Sequence, residues 1–179
     1  MKKRVLTILI SLLLVLTGCS VKRSEDRNIV SNYEEAINQS ELIVIGHFEG
    51  YKESWNMARN IEDSLKESEE YYVEGKIYSF VVDEVLKGSF ATEKIEVNQR
   101  FSDNYSGKVK LDEYYVDVDY SQEYVLFLAY NELFEHYFGS FSPFIYTLND
   151  STVSPCVNNG QTENTVSSID VNDLRVLMD

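Results

Sequence analysis

The chain has 179 residues, of which 30 are acidic and 16 basic, so its formal net charge at pH 7 is −14. Nucleic acids are bound chiefly by Lys and Arg side chains that neutralise phosphates, so this charge argues against a nucleic-acid partner. The length predicts one domain with enough chain to bury a hydrophobic core.

The first 18 residues have the pattern of an export signal. Lys2, Lys3 and Arg4 form a basic head, and residues 5–16 are almost entirely Leu, Ile and Val. A membrane-spanning helix needs about 20 apolar residues, so this shorter run predicts a signal-peptide core rather than an anchor. The alternative, a soluble core helix, would place three cations at a helix start, where the helix dipole favours anions.

The apolar run ends in Leu16-Thr17-Gly18-Cys19, and the chain then becomes polar. These four residues resemble the lipobox of bacterial lipoproteins. The resemblance implies transfer of a diacylglyceryl group to the sulfur of Cys19 and cleavage between Gly18 and Cys19. Two acyl chains on one residue anchor a protein stably, whereas one does not. We therefore expect a protein held by lipid on Cys19 at the extracytoplasmic face of the cell membrane.

Removal of residues 1–18 would take away three cations and no acid, which leaves a net charge near −17 on the mature chain. So acidic a surface does not dock flat on anionic headgroups. Residues 19–30 are mostly polar and lack periodicity, which indicates a lipid anchor and tether. Residues 31–179 are expected to form one domain that the tether holds clear of the bilayer.

This domain is predicted to begin with a short helix and a buried strand. Ser31 and Glu34 have the spacing of a capping box, and apolar residues recur after them at helical spacing, which predicts a helix over about 31–40. Residues 42–45 form a continuous, mostly β-branched run. Such a run indicates a strand that is buried on both faces.

The stretch 52–70 differs in composition, because it is charged and carries few large apolar side chains. Met57, Ile61 and Leu65 share one helical stripe. We therefore predict an inserted excursion that contains a packed helix, with a mobile loop as the alternative.

A long hairpin is predicted next. Residues 71–88 have strand-type composition over a length far above the usual 5–6 residues. Their alternation is lost at 80–82, which predicts a bulge or bend. A Lys-Gly turn follows, and residues 94–100 alternate again with their apolar side chains inward. Residues 101–113, rich in Ser, Asp, Asn and Gly, are predicted to be a loop.

The last third of the chain carries further strands and a final helix. Residues 114–120 are a weak strand candidate, whereas 123–130 are apolar on both faces and predict a central strand. Residues 144–155 predict two strands around an Asn-Asp turn. Ser167 or Ser168 is expected to cap the last helix. The apolar stripe of that helix consists of Ile169, Leu174, Leu177 and Met178.

These elements predict a mainly β, α+β fold: a small, partly closed antiparallel barrel of OB-like type, with one N-terminal and one C-terminal helix. Residues 41–50, 78–89, 94–97 and 124–128 together resemble the netrin-like pattern of tissue inhibitors of metalloproteinases, over roughly residues 33–155. They resemble still more closely the small bacterial secreted proteins and lipoproteins that carry the same pattern.

The resemblance implies a barrel rather than an activity, because it rests on core and turn residues. The inhibitors insert a free amino-terminal cysteine into the zinc site of a protease, and several disulfides stiffen them. Here Cys19 is expected to be acylated and distant from the barrel, and no disulfide is available. Inhibition by that mechanism is therefore not carried over.

No catalytic motif is present in the sequence. His47 and His136 are the only histidines, and neither accompanies a nucleophile elbow, a zinc-binding His-Glu-x-x-His or a phosphate-binding loop. We expect both to be structural or surface histidines. Cys156 is expected to be a small buried side chain rather than a nucleophile, because no histidine lies near it in sequence.

Residues 117–123 place oxygen ligands at alternate positions but do not match a calcium-binding loop. The sixth and twelfth positions of such a loop require Gly and Glu, and Gln122 and Leu128 stand there. We therefore predict no metal site and no cofactor, with weak calcium binding as the alternative.

The expected function is a non-catalytic binding or protein-interaction module whose ligand is a protein or an envelope component. The 13 tyrosines and 9 phenylalanines suit either a tyrosine-lined recognition face or ordinary packing. Two alternatives remain open. One is a cell-envelope hydrolase that uses carboxylates with His47 or His136, and the other is a surface protease inhibitor that uses the loop 101–113.

Overall fold

The computed structural model describes residues 28–105, 107–156 and 166–178. Within them the chain forms α1 (Tyr33–Gln39), β1 (Leu42–Asn56), β2 (Tyr72–Lys87), β3 (Lys94–Tyr105), β4 (Lys108–Leu111), β5 (Glu123–Asn131), β6 (His136–Gly139), β7 (Ile145–Asn149), β8 (Thr152–Pro155), β9 (Ile169–Asp170) and α2 (Val171–Val176). This confirms the mainly β, α+β fold. Neither of these two short helices is long enough to span a bilayer. Gly18 and Cys19, with the predicted signal and most of the tether, lie outside the described residues.

Five strands close a ring in the order β1–β2–β3–β6–β5 and back to β1. Their pairings are antiparallel except β3–β6, which is parallel and joins only Val97 with Tyr137 and Asn98 with Phe138. One edge of β5 is shared between β6 and β7, so the ring is not a regular barrel. Strands β7, β8 and β9 continue the sheet beyond the ring, and β4 pairs with β3. The predicted partial closure is confirmed.

The two faces of β1 and β5 enter two separate hydrophobic cores. Ile43 and Phe127 belong to a core that also contains the buried residues of α1 and α2, whereas Val44 and Leu126 lie in the core inside the ring. Neighbouring side chains of a strand point to opposite faces, so burial of both faces produces the continuous apolar runs of these strands.

The long strands are bent as predicted. The pairing of β1 with β2 shifts register four times, and one extra residue on β2, Asp83, falls just after the apolar run 80–82. Such bulges let a long strand curve around a small ring. The turn after β2 is confirmed at Gly88, whose φ is +84°.

The predicted helix within 52–70 is wrong. Residues 52–56 belong to β1, and residues 57–71 form a loop in which Ile61 is 92% exposed and Leu65 75% exposed. The side chain of Asn56 donates to the carbonyls of Ser68 and Tyr71 and accepts from the backbone N–H of two residues at the loop neck. The backbone at the neck is thus satisfied without a helix, and Ile61 and Leu65 of the apolar stripe have no core to cover.

The predicted loop at 101–113 is also wrong over most of its length. Strand β3 continues to Tyr105, and β4 occupies 108–111. The polar composition that suggested a loop includes Ser102 and Asp103, which are 3% and 5% exposed. Both have partners, since Ser102 donates to Glu74 and Asp103 accepts from Arg100. Buried polar side chains with partners are compatible with a strand.

Other boundaries differ in detail. Residues 114–120 form no strand, and β6 was not predicted. Helix α1 is capped by Asn32 rather than Ser31, because the Asn32 side chain accepts from the N–H of Glu35. Helix α2 is capped by Asp170 rather than a serine. On its predicted stripe, Leu174 is fully buried but Leu177 is 42% exposed.

A stability prediction arises from Tyr146, which is fully buried and whose hydroxyl has no hydrogen-bond partner among the described residues. We expect Tyr146→Phe to raise the free energy of unfolding by about 1 kcal/mol at pH 7, because it removes an unsatisfied buried group. Burial raises the pKa of Tyr146. Above about pH 10 the tyrosine ionises in the unfolded chain first, so the stability of the wild type falls as the pH rises. The Tyr146→Phe variant should lose less stability over the same pH range.

The matched control is Tyr124→Phe. Tyr124 is also buried, but its hydroxyl accepts from the N–H of Asp119 at 2.9 Å and donates to the carbonyl of Asp119 at 3.3 Å. Its loss should cost about 1 kcal/mol. Urea unfolding of both variants at neutral and alkaline pH measures the contrast, and equal destabilisation of the two would contradict it.

Candidate ligand-binding site

A set of polar and aromatic side chains lies on the outer face of the ring, where β2, β3 and β6 are neighbours. Asn98 of β3 is opposite Ile77 of β2 and Phe138 of β6. The loop 57–71 and the turn 132–135 border the same face. In five-stranded barrels of this ring order, ligands bind on the face of strands 2 and 3 between the equivalent loops. That is an analogy of fold, so the site is argued below from its own residues.

Asn98 is the central polar residue of this face and is only 2% exposed. Its side-chain oxygen accepts from the indole N–H of Trp55 at 2.7 Å. Its amide nitrogen has two hydrogens to donate, and its acceptor among the described residues is the thioether sulfur of Met57, at 3.4 Å. A thioether is a weak acceptor. Asn98 is therefore fixed in orientation while retaining donor capacity.

An aromatic cluster surrounds Trp55, the only tryptophan in the chain. The ring centre of Trp55 is 4.8 Å from that of Phe134 and 6.4 Å from that of Phe138, in edge-to-face geometry. The guanidinium of Arg59 lies over both Trp55 and Phe134, 4.8 and 4.6 Å from their ring centres. Such contacts are worth about 0.5–2 kcal/mol each, so they hold the start of the loop against the sheet.

Arg100, two residues after Asn98 on β3, carries the main positive charge of the site. Its Nη2 is 2.6 Å from Asp103 Oδ1, and its Nε is 3.6 Å from Asp112 Oδ2. Both carboxylates are buried, with side chains 7% and 2% exposed. One cation thus serves two buried anions.

A cavity of about 220 Å³ opens beside these residues. Asn98 and Arg100 contribute polar groups to its lining, and Met57, Phe138 and Phe144 contribute apolar surface. Ser140 also lines it, and the Ser140 hydroxyl oxygen is buried without a hydrogen-bond partner among the described residues. The cavity therefore combines an apolar wall with the polar side chains of Asn98 and Arg100.

Gly75 makes this arrangement possible. A Cβ at Gly75 would lie 2.6 Å from Asn98 Oδ1 and 2.7 Å from the Cγ and Sδ of Met57. We expect Gly75→Ala to displace Met57 and strain the Trp55–Asn98 hydrogen bond, at a cost of about 1–3 kcal/mol. The displacement should change the fluorescence of Trp55 in the folded protein.

The control for this substitution is Gly50→Ala. Gly50 also lies in a strand, β1, but a Cβ there meets nothing within 4 Å. We expect no loss of stability and no change in Trp55 fluorescence. A similar spectral change in both variants would show that the effect does not come from crowding at Asn98.

The two histidines lie apart from each other and in different settings. His47 is on the outside of β1, with Nδ1 3.0 Å from Asp83 Oδ2. His136 contacts Trp55, and its Nδ1 is 3.2 Å from Glu96 Oε2 in an orientation that forms no hydrogen bond. Glu96 also pairs with Lys52. Neither histidine lines the 220 Å³ cavity, and no group of three or more His, Cys, Asp or Glu in the described part of the chain has metal-binding geometry.

Cys156 is partly buried against the core inside the ring, and burial raises the pKa of its thiol to about 11. A thiol with so high a pKa is mostly protonated at neutral pH and is a poor nucleophile. This agrees with the prediction of a packed side chain.

The predicted tyrosine and calcium positions do not converge on the cavity. Tyr124 and Tyr146 are core residues, whereas Tyr120 and Tyr130 are 49% and 43% exposed. Asp119 accepts from the N–H and hydroxyl of Ser121, and these hydrogen bonds lower the pKa of Asp119. Asp119 therefore stabilises a turn.

Two further cavities, of about 330 and 300 Å³, flank the segment Ser68–Tyr71 in the loop. Their lining includes Glu62, Glu69 and Glu70, all exposed. These acidic side chains are exposed to solvent, and nothing else at either cavity indicates a ligand.

No family model, no curated protein and no solved structure matches the chain. The site must therefore be judged from its own geometry: it offers the amide of Asn98 and the paired guanidinium of Arg100 beside an apolar wall. The sequence patterns did not reveal Asn98, Arg100 or Ser140. One signal could have found Asn98. It is a polar residue within a strand, and the neighbouring segments carry a glycine, a tryptophan and a methionine.

Proposed function

We propose that the chain is a membrane-anchored extracytoplasmic lipoprotein whose OB-like domain is a non-catalytic binding module. Its ligand, a protein or an envelope component, is bound in the cavity between β3, β6 and the loop 57–71. The anchor is proposed from Leu16-Thr17-Gly18-Cys19 and the signal-like residues before it. The binding role is proposed from the cavity.

The observation that carries the binding proposal is the cavity wall, on which Asn98 lies beside Met57 and Phe138. The Asn98 oxygen is occupied by Trp55, whereas its nitrogen has two hydrogens and donates to the weak acceptor Met57 Sδ, so Asn98 keeps donor capacity. A mostly apolar wall with a few polar groups of this kind is the expected feature of a binding site.

The position of the cavity is compatible with the anchor. Asn28 lines the cavity, and it donates to the carbonyl of Ser140. Eight residues lie between Cys19 and Asn28, and the nine steps from one Cα to the other reach at most about 32 Å. A ligand in the cavity would therefore lie close to the membrane, as expected for a component of the cell envelope.

Photo-crosslinking from Met57 tests the binding proposal in cells. Met57 is one of three methionines, with Met1 and Met178, so a photoreactive methionine analogue can be introduced with little change in shape. We expect irradiation of intact cells to give an adduct with one envelope component, because Met57 lines the cavity.

The matched variant is Met57→Leu, which conserves volume but removes the photoreactive group from the cavity. Met178, which packs against the core beside α2 and does not line the cavity, remains labelled in both proteins. The adduct should disappear in Met57→Leu. An adduct that persists, or the absence of any adduct from the wild-type chain, would contradict the proposal.

A further inference from the structure

We infer that the tip of the loop 57–71, residues 60–66, is a docking surface for a protein whose apolar pocket is bordered by Lys or Arg side chains. This inference concerns a second surface, so it goes beyond the cavity and does not depend on the cavity being occupied. Three properties of the tip support it: its exposed apolar side chains, its fixed backbone and its charge.

Two aliphatic side chains of the tip are open to solvent. Ile61 is 92% exposed and Leu65 is 75% exposed, and these are the two highest values among the exposed large hydrophobic residues of the described chain. Single apolar side chains are common on protein surfaces, but here both extremes lie on one short turn. A partner that covers them would remove apolar surface from water, which favours association.

The backbone of the tip is fixed by hydrogen bonds. The N–H of Asn60 donates to the carbonyl of Lys66 at 2.9 Å, which closes the tip. The Asn60 side chain accepts from the N–H of Glu62 at 2.8 Å. The Asp63 side chain accepts from the N–H of Leu65 at 3.1 Å. A docking loop held in one conformation loses less conformational entropy on binding, so more of its contact energy contributes to affinity.

The base of the loop is also held in place, on both sides of the tip. The backbones of Arg59 and Glu67 form a β-bridge, and the N–H of Ser68 donates to the carbonyl of Ala58 at 2.9 Å. The Arg59 guanidinium lies over the ring of Trp55. The tip is therefore presented on a rigid support, which is the usual arrangement of a binding loop on its scaffold.

The charge around the tip defines the chemistry of the partner. The loop 57–71 has five acidic and two basic side chains, and one of the basic side chains, Lys66, pairs with Asp63 at 3.1 Å. The other acidic side chains are exposed and have no ion pair in the described part of the chain: Glu62, Glu67, Glu69 and Glu70. A basic rim would complement these carboxylates, and the net charge of −14 would attract a basic partner over a longer range.

The same charge disfavours two other occupants of the tip. Insertion of Ile61 and Leu65 into a membrane would bring the exposed carboxylates against anionic headgroups, which repel them. A second copy of this chain would place like charges against each other at the interface. A protein with a basic rim around an apolar pocket meets both the apolar and the electrostatic condition.

Photo-crosslinking from position 61 in intact cells tests the inference. The full chain carries Ile61→Met together with Met57→Leu, so a photoreactive methionine analogue stands on the tip and not in the cavity. We expect an adduct with one protein that the Met57→Leu chain does not give. The partner peptide joined to position 61 should contain Lys or Arg beside apolar residues. Salt at about 0.5 M should lower the yield of the adduct about threefold, because it screens exposed charges.

Two further substitutions separate the apolar contribution from the charge. Leu65→Ala should lower the yield about fivefold without a change in the urea midpoint, because Leu65 is exposed in the free protein. Its control is Val176→Ala on α2, where the side chain is 69% exposed and the yield should not change. Glu62→Gln combined with Glu67→Gln should lower the yield and weaken its dependence on salt. Glu93→Gln, in the exposed turn before β3, should do neither.

An adduct with lipid, with a second copy of the chain or within the same chain would overturn the inference, as would the absence of any adduct. The same conclusion would follow from an adduct that Leu65→Ala leaves unchanged or that salt does not weaken. The cavity is tested separately, from Met57 in the chain with native Ile61, so the failure of one surface is distinguishable from the failure of the other.

Discussion

Replacement of Phe48 by Ala is expected to lower the free energy of unfolding by about 4 kcal/mol, within the usual range for a buried phenylalanine. Phe48 is fully buried inside the ring. Its ring centre is 5.7, 4.9 and 5.3 Å from those of Tyr78, Phe80 and Tyr124, each in edge-to-face geometry. The substitution removes all three aromatic contacts and leaves a cavity that the curved sheet fills only in part.

An effect of this size is a large fraction of the total stability of a domain, which is about 5–15 kcal/mol. Urea unfolding of the purified protein, followed by circular dichroism and by Trp55 fluorescence, measures it. A loss below about 1 kcal/mol would contradict the arrangement of the ring around Phe48.

Ile61→Ala is the control, and it also tests the structure of the loop 57–71. Ile61 is 92% exposed, so its truncation should change stability by less than about 0.5 kcal/mol. A packed helix at 52–70, as the sequence suggested, would bury Ile61 against the sheet. In that case the two substitutions would have comparable effects.

The strands that line two cores were predictable because both of their faces are apolar. The sequences of residues 42–45 and 124–128 predict buried strands without any knowledge of their partners. The side chains of these strands contribute to both cores, the one inside the ring and the one that contains the helices. The loop 57–71 was not predictable in the same way. Its stripe of Met57, Ile61 and Leu65 meets the helical spacing, but a stripe forms a helix in a protein only when there is a surface to cover it. Only Met57 finds such a surface, beside Asn98.

The candidate site was hidden for a different reason. In an alternating strand, Asn98 reads as an outward residue exposed to solvent, and its direction is indeed outward from the ring. It is buried because Trp55 and Met57, more than 40 positions earlier, fold over the outer face of the sheet. Burial produced by distant segments leaves no periodic signal.

The second large effect concerns Cys19. In a bacterial host that is fed an alkyne-bearing fatty acid, we expect the full wild-type chain to become labelled and to lose residues 1–18. Cys19→Ala should abolish the label completely and prevent cleavage between positions 18 and 19, because the acylated residue is the one that the proposed processing requires. Gel fluorescence and the intact mass of the purified chain measure the two outcomes.

Cys156→Ala is the matched control, because Cys156 is the only other cysteine in the chain. Cys156 packs against the core inside the ring, and burial raises the pKa of its thiol to about 11, so it should not be acylated. The Cys156→Ala chain should therefore keep both the label and the cleavage. Label retained in Cys19→Ala would place the lipid elsewhere and remove the basis for the tether. The cavity would then no longer be restricted to within about 32 Å of the membrane.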